Sequence, residues 1–259
     1  DLPQGLQDRG GWASRDTALR FADYAAQVGR RLGDRLAAIA THNEPWCTAV
    51  LGHQLGKFAP GAKDAVLATQ VSHHLLLSHG LALQAMRAER VRCPLGIVLN
   101  QSNADAASHS AADVALARTQ YASFVRWYMD PLFRGAYPQD PGIAHYPQIE
   151  AGDMVTIAQP LDFLGVNYYT RNWMSSTGEP APMALGATDM GWEIHPQGLT
   201  ELLVGLHREY ARPLGRKNDP HTIDMDAFRA EVRRHLRAPE PPRLIPATDA
   251  ATAIASTSS

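Results

Sequence analysis

The stretch LAAIATHNEPW, residues 36–46, is a short apolar run that passes through Asn43 and Glu44 and is stopped by Pro45. Such a run reads as a buried strand. A carboxylate at the end of a buried strand is expensive unless it is paired or protonated. By position alone, Glu44 is equally a loop-capping carboxylate paired with an arginine or a group that does chemistry. Its neighbours tip that balance, because Asn43 can hydrogen-bond a hydroxyl and Trp46 offers a flat apolar face. Acid, amide and ring together suit a sugar. The acid protonates a leaving oxygen, the amide holds a hydroxyl, and the ring stacks on the pyranose.

Outward from this stretch the pattern alternates. Upstream, Ala18, Phe21, Ala22, Ala25 and Val28 recur at helical spacing, with Ser14 or Asp16 as N-cap and Gly33 as the stop. Downstream come a long helix over about 64–90 and a second buried strand in CPLGIVLN. Val114, Ala117, Tyr121, Phe124, Val125 and Tyr128 then mark an amphipathic helix, LDFLGVNYY a third strand, and GLTELLVGLHREY a further helix. Strands alternating with helices predict parallel strands joined by crossover helices, an α/β fold. The three strands end in Asn43–Glu44, Asn100–Gln101 and Asn167–Tyr168–Tyr169. Ligands of parallel α/β folds bind at that end, where the loops converge, so these endings point to one shared site. Periodicity leaves a barrel and an open sheet as alternatives.

Composition narrows the function classes. The chain has 259 residues, 45% hydrophobic and 19% charged, which is enough for a sizeable core in one or two domains. A formal net charge of −2 gives no electrostatic case for a nucleic acid or an anionic membrane. No apolar run approaches the roughly 18 residues of a membrane helix. Two cysteines, Cys47 and Cys93, are too few for a disulfide-stapled scaffold and read as free thiols of a cytoplasmic protein. The first residue is Asp1 rather than methionine, so translation is expected to have begun upstream. The H-E-x-x-H, G-x-S-x-G, phosphate-loop and G-x-G-x-x-G signatures do not occur. His73, His74 and His79 lie on the long helix at spacings unsuited to one metal, and read as surface or packing histidines. From about Ala211 strand patterning ends and the chain turns rich in Pro, Ala, Thr and Ser, with one short helix over about 224–236. Residues 215–259 are therefore expected to form a divergent, mobile tail.

THNEPW, taken with DLPQGLQDRGGWASRDTALRFADYA, LGDR, DPLFRGAYP, DFLGVNYYTRNW and GWEIHPQGL, strongly resembles glycoside hydrolase family 1, the β-glucosidase and β-galactosidase family. The resemblance is collinear over about residues 1–214. It implies a (β/α)8 barrel of the TIM type, hydrolysis of small β-linked glucosides or galactosides by a retaining two-carboxylate mechanism, and no cofactor. Glu44 is by this resemblance the general acid/base, and Asn43 the contact to the sugar 2-hydroxyl. Trp46 lines the leaving-group side, while Asn167 and Tyr169 line the sugar site, the tyrosine bonding to the nucleophile. The family's nucleophile belongs to an I/V-T-E-N-G segment after the helix matched by GLTELLVGLHREY, where this chain reads ARPLGRKNDPHT. Glu193, Asp189 and Asp224 are the substitutes within the chain, none of them favoured. The family's HWDLPQ segment begins here at DLPQ. The expectation is thus an incomplete barrel sector, about strands four to six, whose open edges favour self-association. A non-catalytic carbohydrate-binding remnant and an inactive truncated glycosidase stand as alternatives.

Overall fold

A computed structural model of the chain describes residues 2–210. The tail expected over 215–259, its short helix, Asp224 and the stretch ARPLGRKNDPHT lie outside the described residues. In chain order the elements are α1 (Gln4–Gln7), α2 (Arg15–Leu32), β1 (Ile39–Asn43), a π-helical segment (Cys47–Gln54), α3 (Ala65–Ala88), β2 (Leu95–Asn100) and β3 (Ala104–Ala106). They continue with α4 (Ala111–Tyr121), a second π-helical segment (Ala122–Arg126), α5 (Trp127–Arg134), α6 (Asp153–Ile157), β4 (Phe163–Asn167), β5 (Asn172–Met174) and α7 (Gln197–Tyr210).

Local signals account for the ends of the main helices. α2 begins after Ser14, whose backbone is extended, although its side chain makes no capping bond. It stops at Gly33, which is still right-handed at φ −61°. A Cβ there would lie 2.5 Å from the Gly29 carbonyl oxygen and also press on Val91, so close approach rather than a left-handed turn calls for the glycine. α3 starts from Asp64, whose carboxylate accepts the Leu67 N–H at 3.0 Å and satisfies one of the free donors of the first turn.

β1, β2 and β4 form one parallel sheet in that order, so neighbours in sequence are neighbours in space, as in a sector of a barrel. The two faces of this sheet differ. Ile97 and Leu99 of β2 are buried in a core with Leu76 and Leu77 of α3, Met129 of α5 and Leu202 of α7, and Leu164 and Val166 of β4 pack against it. Gly96, Val98 and Asn100 pair in register with Phe163, Gly165 and Asn167 and alternate onto the opposite face. There the β1 residues Ala40 and Asn43 are exposed. One layer of helices thus covers one side of the sheet, and the other side stands open among the described residues.

Register in β1 slips by one residue. Ala40 pairs with Gly96 but Asn43 with Val98, leaving an extra residue on β1 between those pairs. Such a bulge re-aims side chains at the end of a strand. Here it brings Asn43 onto the open face together with Asn100 and Asn167. β3 and β5 form a separate two-stranded parallel ladder that the sequence reading did not anticipate, because three residues carry no periodic signal.

α3 is buried almost all round, and its histidines are packing groups rather than surface ones. His79 is fully buried and its Nδ1 lies 2.7 Å from the Thr41 hydroxyl. His73 Nε2 is 3.0 Å from Asp153 Oδ2, and the Tyr137 hydroxyl is 3.0 Å from its Nδ1. Asp153 also accepts two hydrogen bonds from Arg15, at 2.9 and 2.5 Å, and the Glu150 N–H at 2.8 Å. Burial pushes the Asp153 carboxyl up, but the Arg15 and His73 hydrogen bonds outweigh it and hold the carboxyl well below the usual carboxylate range. Burial lowers His73, so the ring is neutral, donating from Nε2 to Asp153 and accepting the Tyr137 hydroxyl at Nδ1. This network ties α2, α3 and α6 together. Gly80 permits the contact of α3 with α6, since a Cβ there would collide with the Thr156 carbonyl. No helix among the described residues is long and apolar enough to cross a membrane.

Candidate active site

Glu44 follows β1 directly and precedes a proline. Its backbone has φ 51°, the left-handed region that a residue with a side chain rarely occupies. Two hydrogen bonds enforce that conformation. The Glu44 N–H donates to the Val98 carbonyl of β2 at 2.9 Å, and the Glu44 carbonyl accepts the Cys47 N–H at 2.9 Å. Backbone strain held in place by surrounding contacts is common where a side chain must be aimed. The turn sends the Glu44 side chain across the end of the sheet toward β4.

There three groups meet its carboxylate. Asn167 Nδ2 donates to Oε1 at 2.7 Å, the Tyr169 hydroxyl donates to the same oxygen at 3.0 Å, and the Cys47 thiol donates to Oε2 with sulfur at 3.2 Å. The carboxylate also fixes the amide orientations around it. An ionised carboxyl only accepts, so Asn167 presents its NH2 group, and the second N–H contact of that group requires Oδ1 from Asn43, at 3.0 Å. The Asn43 N–H groups then have no partner among the described residues, on an exposed side chain at the open face. Hydrogen bonding to Glu44, and then burial, raise the Tyr169 phenol above its ordinary value. Burial, followed by the Glu44 hydrogen bond and charge, pushes the Cys47 thiol up to about 12.

Four of the five residues expected from the sequence therefore meet: Glu44, Asn43, Asn167 and Tyr169. Their placement follows from the in-register pairing of β2 with β4 and the bulge in β1. Trp46 lies differently. Its ring is half-buried, packed on the core, with Phe124 edge-on at 5.2 Å between centroids. The exposed aromatic pair at this end of the sheet is instead Tyr169, 57% exposed, and Trp192, 41% exposed, with ring centroids 5.5 Å apart.

Trp192 is a residue the sequence reading missed as a site group, although it sits in the quoted segment GWEIHPQGL. Glu193 beside it is 5% exposed and accepts two hydrogen bonds from Arg171, at 2.8 and 2.9 Å, so its carboxylate is committed to an ion pair. Among the described residues no second carboxylate hydrogen-bonds into the Glu44 cluster. The Tyr169 hydroxyl, expected to bond to a nucleophile, is held by Glu44. The arrangement can hold and orient one carboxylate beside amide donors and an aromatic face, which is the means to deliver a proton to the oxygen of a bound sugar.

The sequence pattern described as Glycosyl hydrolase family 1 matches residues 1–215. Beta-glucosidase A of Acetivibrio thermocellus is 40% identical over 230 residues, covering 82% of this chain and 51% of that protein. The crystal structure of the AHE enzyme from Alicyclobacillus herbarius superposes with a TM-score of 0.76 at 40% identity, over 91% of this chain and 59% of that one. The GH1 beta-glucosidase from Exiguobacterium antarcticum superposes with a TM-score of 0.76 at 36% identity, over 81% of this chain and 50% of that one. The chain spans about half the length of the curated relatives it matches. With a family pattern over most of its length, relatives at this identity and a parallel sheet wound in chain order, the chain belongs to glycosyl hydrolase family 1 and is a sector of its (β/α)8 barrel.

Proposed function

We propose that this chain supplies the acid/base half of a retaining β-glycosidase site for small β-glucosides, with β-galactosides as the neighbouring class. The observation that carries the reading is the Glu44 carboxylate, aimed by a strained turn and held by Asn167, Tyr169 and Cys47, with no cation among its hydrogen-bond partners in the described residues. A carboxyl held by neutral donors alone can take up and release a proton without breaking an ion pair. Asn43, with its free N–H groups, offers the contact to a sugar hydroxyl beside it. Trp192, exposed beside Tyr169, offers an apolar ring for stacking on the sugar. The sector over residues 1–214 is the glycosidase part, and the sequence of residues 215–259 diverges from the family.

The retaining reaction needs a second carboxylate about 5–5.5 Å from the first. Turnover by this chain therefore depends on a nucleophile from outside the Glu44 cluster, whether from residues 211–259, a second copy or another chain.

The test is hydrolysis of phenyl β-glucoside, whose leaving group needs a proton, by the purified chain beside Glu44→Gln. Loss of roughly 10²-fold or more in the variant, the scale of general acid catalysis, supports the proposal. Equal rates in both forms overturn it. Unchanged saturable glucoside binding with turnover in neither form would instead favour a non-catalytic carbohydrate-binding role.

A further inference from the structure

We infer that Cys47 is a positioning residue for the acid, assigning the transferable proton to Glu44 Oε2. This rests on the acid role proposed for Glu44.

The two carboxylate oxygens are treated unequally. Oε1 accepts two donors with firm geometry, Asn167 Nδ2 at 2.7 Å and the Tyr169 hydroxyl at 3.0 Å. Among the described residues Oε2 accepts only the Cys47 thiol, with sulfur at 3.2 Å. An oxygen already engaged by an amide and a phenol has little room for a proton of its own. An oxygen facing a thiol does, because S–H is a weak donor that rotates away at little cost and sulfur is itself a weak acceptor. The thiol therefore holds Oε2 in place while the carboxylate is ionised and yields when the proton arrives. Donation to the glycosidic oxygen breaks the Oε2–H bond and returns the carboxylate to the thiol.

The chain geometry that makes this contact is local and specific. Cys47 is three residues after Glu44, and its N–H already bonds to the Glu44 carbonyl at 2.9 Å, so backbone and side chain of one residue grip backbone and side chain of the other. Cys47 opens a π-helical segment, Cys47–Gln54, and wide turns of this kind recur at functional sites. Cys93, the second free cysteine, supplies an internal reference for thiol reactivity.

Two measurements test the inference, one of them independent of turnover. In the first, iodoacetamide labelling of Cys47 and Cys93 is followed by peptide mass spectrometry near pH 8.5 in the parent chain and in Glu44→Gln. Removing the carboxylate removes its share of the elevation of the thiol, so Cys47 labelling accelerates about tenfold while Cys93 is unchanged. No acceleration overturns the contact.

In the second, kcat/KM is compared for glucosides with good (2,4-dinitrophenyl) and poor (phenyl) leaving groups in the parent, Cys47→Ala and Cys47→Ser. A misplaced acid harms only substrates whose leaving group needs a proton. Cys47→Ala is expected to lose roughly tenfold on the poor leaving group and under about twofold on the good one, with Cys47→Ser restoring most of the loss through its hydroxyl. Equal losses on both substrates, or none on either, overturn the positioning role. Absence of turnover in the parent chain overturns the reading that this chain alone suffices for hydrolysis, and the labelling experiment still judges the Glu44–Cys47 pair.

Discussion

Glu44 and Asp153 are carboxylates of one small protein, each accepting at least three hydrogen bonds, and they are built on opposite principles. Asp153 is 2% exposed and closed in by Arg15, His73 and a backbone N–H. Its charge is compensated by a guanidinium, and its side-chain partners come from α2 and α3. Glu44 is half-buried, held by an amide, a phenol and a thiol, and sits in a backbone conformation that costs energy. The difference separates a carboxylate tied into the helix packing from the one proposed to exchange a proton. A buried charge compensated by a guanidinium resists protonation.

Substitution should expose that difference most strongly at Asp153. Asp153→Ala strands His73 in the core and releases Arg15, and urea unfolding is expected to show a loss of about 3–5 kcal/mol, the scale of a broken buried pair. A loss below about 1 kcal/mol would mean that the network does not bind the helices together.

Gly80→Ala attacks the same region through packing, since the new methyl meets the Thr156 carbonyl on α6. A destabilisation of about 1–3 kcal/mol is expected from the overpacked contact. Thermal unfolding that matches the parent would show that α6 can retreat without cost.

Acid should separate the two carboxylates without mutation. The Asp153 carboxyl is held low in the folded chain, so its contribution to stability is fully present above the ordinary aspartate value near 4 and is lost as pH falls below that toward its folded value. The urea midpoint of the parent is expected to drop between about pH 4 and pH 2, and Asp153→Asn to flatten that drop. Parallel profiles would assign the acid sensitivity to other groups.

The smallest change in stability is expected at the proposed acid. Glu44→Gln keeps the shape and loses only neutral-donor contacts on a half-buried group, so the unfolding free energy should stay within about 1 kcal/mol of the parent. A larger loss would make Glu44 a structural carboxylate like Asp153 and undo the contrast.

Much of this was legible before any coordinates. The end of LAAIATHNEPW as a strand, the run of α3 from Asp64, and the meeting of Asn43, Glu44, Asn167 and Tyr169 at one sheet end follow from apolar runs, caps and the parallel alternation of elements. Other features were not legible, and each depends on contacts distant in sequence. Helix spacing leaves His73 and His79 as surface or packing groups, and only the closure of α6 and β1 over them makes them packing groups. Trp46 and Trp192 share the same chemistry. Only the packing of Phe124 on one, and of Tyr169 beside the other, decides which ring is left exposed.

Taken alone, the sequence determined the three main strands and the helices between them, and singled out the carboxylate proposed to act at their end. Local patterns suffice for these, because helix and strand periodicity and proline act over a few residues. Tertiary structure decided the one-residue slip in β1, the left-handed turn at Glu44, and the different partners of its two carboxylate oxygens. Those depend on register between strands some 50 to 70 residues apart, which neighbouring residues cannot specify.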